Sequence, residues 1–295
     1  LKEEFRSKTS QSFLSFIKED IESAQAKEST KQKRFSTYTL LYKFRNHIEF
    51  KDLTPRFVYD FEKFLFDNNF KTNTVAKHMK HLKAFVNSAI NKAYIDLNDY
   101  PFRRYRIKMS ETKHVFLLPE ELEKLETLEL TGRRKRLMHT LDAFLFCCYT
   151  GLRYSDFSNL SDKNFVFIDR KPWIIFNTIK TGAEVKLPLT LLFEGKAWKL
   201  LRKYKGHMKN FFSIKPNSTV NKELIRIGKY AGIEKHFSFH SARHTNATLL
   251  IYKGANITTV QKLLGHRNVT TTQIYSEVMS STIVKDLKKC SKGKQ

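Results

Sequence analysis

Acidic residues are the scarce class in this chain of 295. Asp and Glu number 29 against 54 Lys and Arg, a formal net charge of +25. A chain so short of negative charge is expected to meet a polyanion, with a merely basic enzyme surface as the plain alternative. Long apolar runs are missing too: no stretch approaches the roughly 18 residues of a membrane span, so no membrane partner is expected. The opening residues, Leu1, Lys2, Glu3, Glu4 and Phe5, lack a signal-peptide pattern. Three cysteines cannot make a disulfide framework. Cys147 and Cys148 lie in an apolar run and read as buried thiols of a reducing cytosol, and Cys290 lies near the end. Internal repeats and low-complexity blocks are absent. What remains is ample for packing, with 41% hydrophobic and 13% aromatic residues, and the length suits one large or two modest domains.

Helical spacing dominates the first third. Phe13, Phe16, Ile17, Ile21 and Ala24 predict a helix over residues 10–26. A polar stretch over 27–34 reads as a break before a second helix marked by Leu41, Phe44 and Ile48. Thr54 and Pro55 supply a cap and a first-turn proline for a third, carrying Phe57, Phe61, Phe64 and Leu65 and ending at Asn68 and Asn69. The fourth, 72–93, turns Val75, Met79, Leu82, Val86 and Ile90 inward and carries Lys77, Lys80, His81 and Lys83 on its other side. A solvated face is the bland reading of that stripe, and contact with a nucleic-acid backbone is the competing one. Four helices before any strand signal make a small all-α domain. Residues 102–113 follow, with Arg103, Arg104, Arg106 and Lys108 and no apolar period, and read as a linker running towards a second domain. That domain starts a helix at Pro119 with Glu120 and Glu121 in its first turn. It has a basic loop or helix start over 133–136, strand signals over 164–189, and helices over 191–204 and 221–231.

The stretch that organises the chain is residues 239–278. His240, Arg243 and His244 share one helix face. Gly254 stops that helix, and Thr258 with Gln261 suggests a capping box for the next, which ends at Gly265 so that His266 leaves at a tight turn. Thr271 is placed to cap a last helix carrying Tyr275. A zinc helix is the rival, since His240 and His244 have its spacing. But Ser241 stands where a zincin has Glu, and no Cys, Asp or Glu beside His266 completes a shell, so no metal is expected. Two upstream elements favour phosphate chemistry. Arg153 follows Gly151 just past the apolar run 141–148, with Asp156 three residues on to orient it. Arginine can hold two phosphate oxygens and keeps its charge. Lys180 sits near the tip of a predicted hairpin over 173–187, where solvation is the default. Cations, imidazoles and one tyrosine suit a phosphodiester gripped while a hydroxyl attacks it.

The boxes T-G-L-R-x-S-D, I-K-T-G, H-x-x-R-H and L-G-H with a downstream tyrosine, in that order, resemble the tyrosine recombinase (phage integrase) family, and within it the integrases of conjugative transposons and related mobile elements. The resemblance covers residues 114–285. It implies a mainly α fold with a small β-sheet: an all-α core-binding, DNA-clamping domain (1–108), a linker (109–116) and a mixed α+β catalytic domain with a C-terminal tail (117–295). It implies a site-specific recombinase acting through a 3′-phosphotyrosyl intermediate. Arg153 and Arg243 would grip the phosphate, and Tyr275 would attack it. Lys180 would be general acid, His240 would assist proton transfer, His266 would bond the phosphate, and Asp156 and His244 would be supporting positions. Asp156 stands where Glu is commoner and Ala242 where Leu is commoner; neither change removes a catalytic group. Double-stranded DNA is the expected partner, contacted also by Lys77, Lys80, His81, Lys83, Arg103, Arg104 and Arg106. A homotetramer on paired sites, accessory DNA-bending proteins and a bacterial, nucleoid-associated setting are implied, and no cofactor. The tail from Lys285 would pack on a neighbouring protomer. Starting at Leu1, the chain reads as a piece, with an arm-binding domain a candidate for what precedes it. A type IB topoisomerase-like nicking-closing enzyme is the alternative, and a non-catalytic DNA-binding regulator a weaker one.

Overall fold

The computed structural model of the chain describes residues 11–112 and 114–275. The basic tail, Cys290 and the opening residues lie outside them. The chain divides into two compact units, Leu1–Thr112 and Lys113–Gln295.

The first unit is helical: α1 (Phe13–Ser23), α2 (Glu28–Phe44), α3 (Pro55–Asp67) and α4 (Thr72–Asn91). Thr54 caps α3, accepting from the Phe57 N–H. Phe13, Ile17, Phe61, Met79 and Leu82 meet in one core. The polar stretch expected as a break is instead helical from Glu28. Its Glu, Lys and Gln are good helix formers, and α2 buries only Thr37 and Leu41, so no apolar period announces it. The basic stretch expected as linker also needs correction in its first half. Phe102 and Tyr105 are buried in the helical core, and the Tyr105 hydroxyl donates to Glu62 at 2.6 Å. At its far end, Asn73 and the Ser110 backbone exchange two hydrogen bonds of 3.0 Å.

The second unit is built round α6 (Met138–Thr150), in which every residue from Thr140 on is buried. A helix apolar on all sides belongs in a core. It packs against α11 (Phe239–Tyr252), α8 (Lys196–Arg202) and α10 (Asn217–Tyr230). The unit also holds α5 (Pro119–Glu126), α7 (Tyr154–Phe157), α9 (Met208–Phe212), α12 (Ile257–Leu264) and α13 (Thr270–Gln273). Residues 133–136 lie in a 3-10 helix, Gly132–Leu137. β1 (Phe165–Ile168), β2 (Lys171–Asn177) and β3 (Glu184–Pro188) form an antiparallel sheet in the order β1-β2-β3, with Ile174 opposite both Phe165 and Leu187. Helix α8 starts later than the sequence suggests, because Phe193, Glu194 and Gly195 all take positive φ before it. The architecture is the expected one, mainly α with a small sheet. Among the described residues no helix is long and apolar enough to cross a membrane.

Candidate active site

A helix end, a hairpin tip and a tight turn converge in the second unit. Helix α6 stops at Gly151, whose φ of 73° is left-handed. A side chain there would collide, since an added Cβ would stand 2.7 Å from Leu264 Cδ2 and 2.8 Å from Asn246 Oδ1. The end of α6 is thus pressed against α11 and α12, and Arg153 emerges at the start of α7. Arg243, on α11 and 3% exposed, donates to the Gly151 carbonyl at 2.9 Å and to the Leu264 carbonyl at 2.6 Å. A guanidinium has five N–H groups, so two such bonds do not exhaust it. Burial first and Arg153 second pull its pKa down to about 9, so it is still a cation at neutral pH.

Asp156 does more than orient Arg153. One carboxylate oxygen pairs with the Arg153 guanidinium at 3.4 Å, and the other accepts from the Ile179 N–H at 3.0 Å. That second bond fixes the β2–β3 hairpin, which carries exposed Lys180 at its tip. The tip is held from the opposite side as well. The Thr181 hydroxyl donates to the Gly265 carbonyl at 3.2 Å, and Arg267 donates to the Thr181 carbonyl.

The L-G-H turn ends α12 at Gly265, with φ 62°. Asn256, not Thr258, caps this helix, accepting from the Thr258 N–H at 2.9 Å. The Gln261 amide, expected in a capping box, reaches the other end and donates to the His266 carbonyl at 3.1 Å. His266 Nδ1 meets the buried Thr272 hydroxyl at 2.9 Å. Tyr275 lies two residues beyond α13 rather than on it. A run of threonines is a poor helix former, and the four-residue helix stops before the tyrosine. Tyr275 is buried, and its hydroxyl meets His244 Nδ1 at 3.0 Å.

The electrostatics keep the imidazoles neutral. Burial, then Arg243 and Arg153, hold the His266 pKa down at about 3. Burial, then His240 and His114, do the same for His244. His240 is open to solvent, but partial desolvation and then Arg243, Arg153 and Lys180 lower its pKa as well. Desolvation raises the Tyr275 pKa, and the two arginines oppose that rise. The site therefore gathers fixed positive charge, neutral proton acceptors and one phenol. Among the described residues no group of three or more His, Cys, Asp or Glu is placed to hold a metal ion.

Residues 116–281 match the profile of the phage integrase family, and residues 12–108 match that of the phage integrase SAM-like domain. The chain belongs to the phage integrase family. A tyrosine recombinase of Pseudothermotoga lettingae is 30% identical over 248 residues, covering 81% of this chain and 83% of that one. Two solved structures share the fold. The Tn1549 transposon integrase, in complex with transposon right-end DNA, gives a TM-score of 0.73 at 18% identity over 95% of this chain and 100% of that one. A lambda integrase tetramer bound to a Holliday junction gives 0.73 at 19% over 92% and 79%.

The second unit brings together Arg153, Asp156, His240, Arg243, His244, His266 and Tyr275, with Lys180 on the tethered hairpin. Sequence reasoning missed His114, whose ring lies 4.6 Å from that of His244, and Arg267 and Thr272. His114 has no periodic context, and neither it nor Arg267 belongs to a quoted box, so nothing local flagged them. Of the basic residues in the first unit, Lys77, Lys80, Arg103, Arg104 and Arg106 are exposed and Lys83 is half-buried. Lys80 Nζ donates to Met109 Sδ at 3.0 Å. His81 departs from the stripe. It is half-buried, and its Nδ1 meets the buried Thr37 hydroxyl at 2.7 Å, which also meets His78 at 2.8 Å.

The fit of the L-G-H turn against the hairpin gives a direct test. A Cβ at Gly265 would stand 2.7 Å from Val185 Cγ2 and 2.9 Å from Thr178 Cγ2, at a positive φ. Gly265→Ala is expected to destabilise the second unit by about 1–3 kcal/mol through overpacking and backbone strain. Urea denaturation checks this: an unchanged midpoint would show that the turn and hairpin do not pack as described.

Proposed function

We propose that this site-specific recombinase uses Tyr275 to attack a DNA phosphodiester gripped by Arg153 and Arg243, forming a 3′-phosphotyrosyl link and freeing a 5′ hydroxyl. One observation carries the reading: the Tyr275 hydroxyl is buried with a neutral imidazole, close enough to Arg153 and Arg243 for both to act on its pKa. Two guanidiniums suit the charge that develops on non-bridging oxygens. Lys180 protonates the departing 5′ oxygen, His240 assists proton transfer and His266 bonds the phosphate. Asp156 supports Arg153 and the hairpin together. The covalent link conserves the phosphodiester energy, so the chemistry calls for neither ATP nor a metal. DNA as substrate is carried over from the Tn1549 and lambda integrases and a tetramer from the lambda integrase, and double-stranded DNA bound by a homotetramer on paired sites is the form we propose for this chain. Residues 1–108 act as a DNA clamp through Lys77, Lys80, Lys83, Arg103, Arg104 and Arg106, in a bacterial, nucleoid-associated setting.

The test is a nicked suicide duplex taken from the DNA flanking the gene. A covalent protein–DNA band on a denaturing gel, followed by joining of two different duplexes, is expected. Binding with no band, or relaxation of supercoiled DNA without exchange between duplexes, would overturn the reading. Binding is also expected to weaken steeply with salt. With a net charge of +25, contacts on the order of 6–10 phosphates imply a loss of about 10³–10⁵ in affinity between roughly 50 and 200 mM salt. A flat salt dependence in a filter-binding titration would mean that the charge is not used on DNA.

A further inference from the structure

In the reading above His244 has no role in holding the phosphate, yet it is the residue that the Tyr275 hydroxyl touches. The two atoms, Nδ1 and Oη, are 3.0 Å apart. The ring is fixed by its neighbours. His114 lies across it at 4.6 Å with the planes 34° apart, and His240 stands edge-on at 4.7 Å and 85°. We propose that His244 is the catalytic base of strand cleavage, taking the Tyr275 proton through Nδ1 and returning it on rejoining. This rests on Tyr275 being the nucleophile.

Three observations support the assignment. First, the separation lies within the reach required of a general base, about 2.6–3.2 Å. Second, the ring is neutral and has a lone pair to offer. Burial, with His240, His114, Arg243 and His266 around the ring, holds the pKa at about 3, so the imidazole is neutral at ordinary pH. The role requires the tautomer with the ring proton on Nε2, so that Nδ1 accepts from the hydroxyl. Third, His240, the other imidazole of the helix face, is exposed and makes no direct hydrogen bond to Tyr275 among the described residues. The low pKa does not disqualify His244. A bound phosphodiester brings a negative charge against Arg153 and Arg243, offsets their repulsion and raises the basicity of the ring as the reaction begins.

The step balances. The Tyr275 O–H bond breaks, its proton passes to His244 Nδ1, and Oη bonds phosphorus. The bond from phosphorus to the 5′ oxygen breaks, and that oxygen takes a proton from Lys180. One cation is formed at His244 as one is lost at Lys180. Religation runs the same transfers backwards.

His244→Asn separates basicity from position, because an amide oxygen can stand where Nδ1 stood and accept the hydroxyl without taking its proton. In single-turnover cleavage of nicked duplexes from the gene's flanks, this variant is expected to lose roughly 10²-fold, the lower range for a positioned base. Its rate should climb with pH as the phenol ionises unaided. Replacing Tyr275 by a fluorinated tyrosine, whose phenol is more acidic, should restore most of the loss in His244→Asn and little of that in Lys180→Ala. Cleavage by His244→Asn within a few-fold of the unaltered chain would overturn the role, as would a fluorotyrosine rescue that appears in His240→Asn instead. Nitrogen NMR of the free protein gives an arm independent of DNA. His244 Nδ1 should be the unprotonated ring nitrogen, and its resonance should move in Tyr275→Phe; a protonated Nδ1 overturns the role. Failure of the nucleophile reading looks different. An unaltered chain that forms no adduct, or a Tyr275→Phe chain that does, defeats that reading and takes the role of His244 with it.

Discussion

Tyr275→Phe is expected to abolish the covalent protein–DNA band altogether while leaving DNA affinity within a small factor. The substitution removes one oxygen and keeps the ring that packs with Ala247, Val260 and Leu264. What is lost is the atom that would bond phosphorus, and the nearby hydroxyls of the described residues are otherwise engaged. Thr272 is tied to His266, and the Tyr154 hydroxyl is committed to the Lys215 carbonyl at 2.8 Å. His244 loses its hydrogen-bond partner, which costs about 1 kcal/mol, too little to unfold a domain of this size. The measurement is a denaturing gel beside a binding titration on the same duplex. A band that survives the substitution would move the nucleophile to another residue.

Lys180→Ala is expected to bind DNA almost normally and to cleave about 10²–10⁴-fold more slowly, the usual worth of a positioned proton donor. The hairpin tip is exposed, so sequence alone favours plain solvation for this lysine. The structure changes the weighing. The tip is tied to Asp156 through Ile179 and to the L-G-H turn through Thr181 and Arg267, bonds that a mere surface hairpin does not need. The decisive variant is in the substrate. With sulfur in place of the bridging 5′ oxygen the leaving group is a thiolate, which needs little protonation because a thiol's pKa is about 8.5. Lys180→Ala should then regain much of its rate, whereas Arg153→Ala, which concerns non-bridging charge, should regain far less. Equally poor cleavage of both substrates would remove Lys180 from the acid role. Lys186, paired with Glu184 at 3.0 Å, would be the next candidate.

Much of this site was legible because local chemistry announces it. Glycines at 151, 254 and 265 mark where helices must stop, and a spacing of three and four puts His240, Arg243 and His244 on one face. What could not be read is what arrives from elsewhere in the chain. Asp156 was expected to serve Arg153, but its second oxygen holds a hairpin that begins fifteen residues later, at β2. The pattern H-x-x-R-H marks His244 as no more than a supporting position, because nothing in it says which ring meets the tyrosine. His114 lies in an aperiodic segment outside helix and strand, and only the fold brings its ring to His244. Errors of element type have the same root. Residues 28–34 are helical without a buried face, and Tyr275 falls outside its helix because three threonines of weak propensity carry the last turn no further.

The placement of Arg243 bears on how such a site decays over generations. Its side chain closes two backbone carbonyls, those of Gly151 and Leu264, in the interior of the second unit. Removing it strips both of that bond, and a buried carbonyl left unsatisfied costs about 1–3 kcal/mol. The Tyr275 hydroxyl carries no such architectural duty. A lineage that gives up strand cleavage and lives on as a DNA-binding protein would therefore shed the tyrosine's oxygen readily and hold on to the arginine, the older chemistry surviving as masonry.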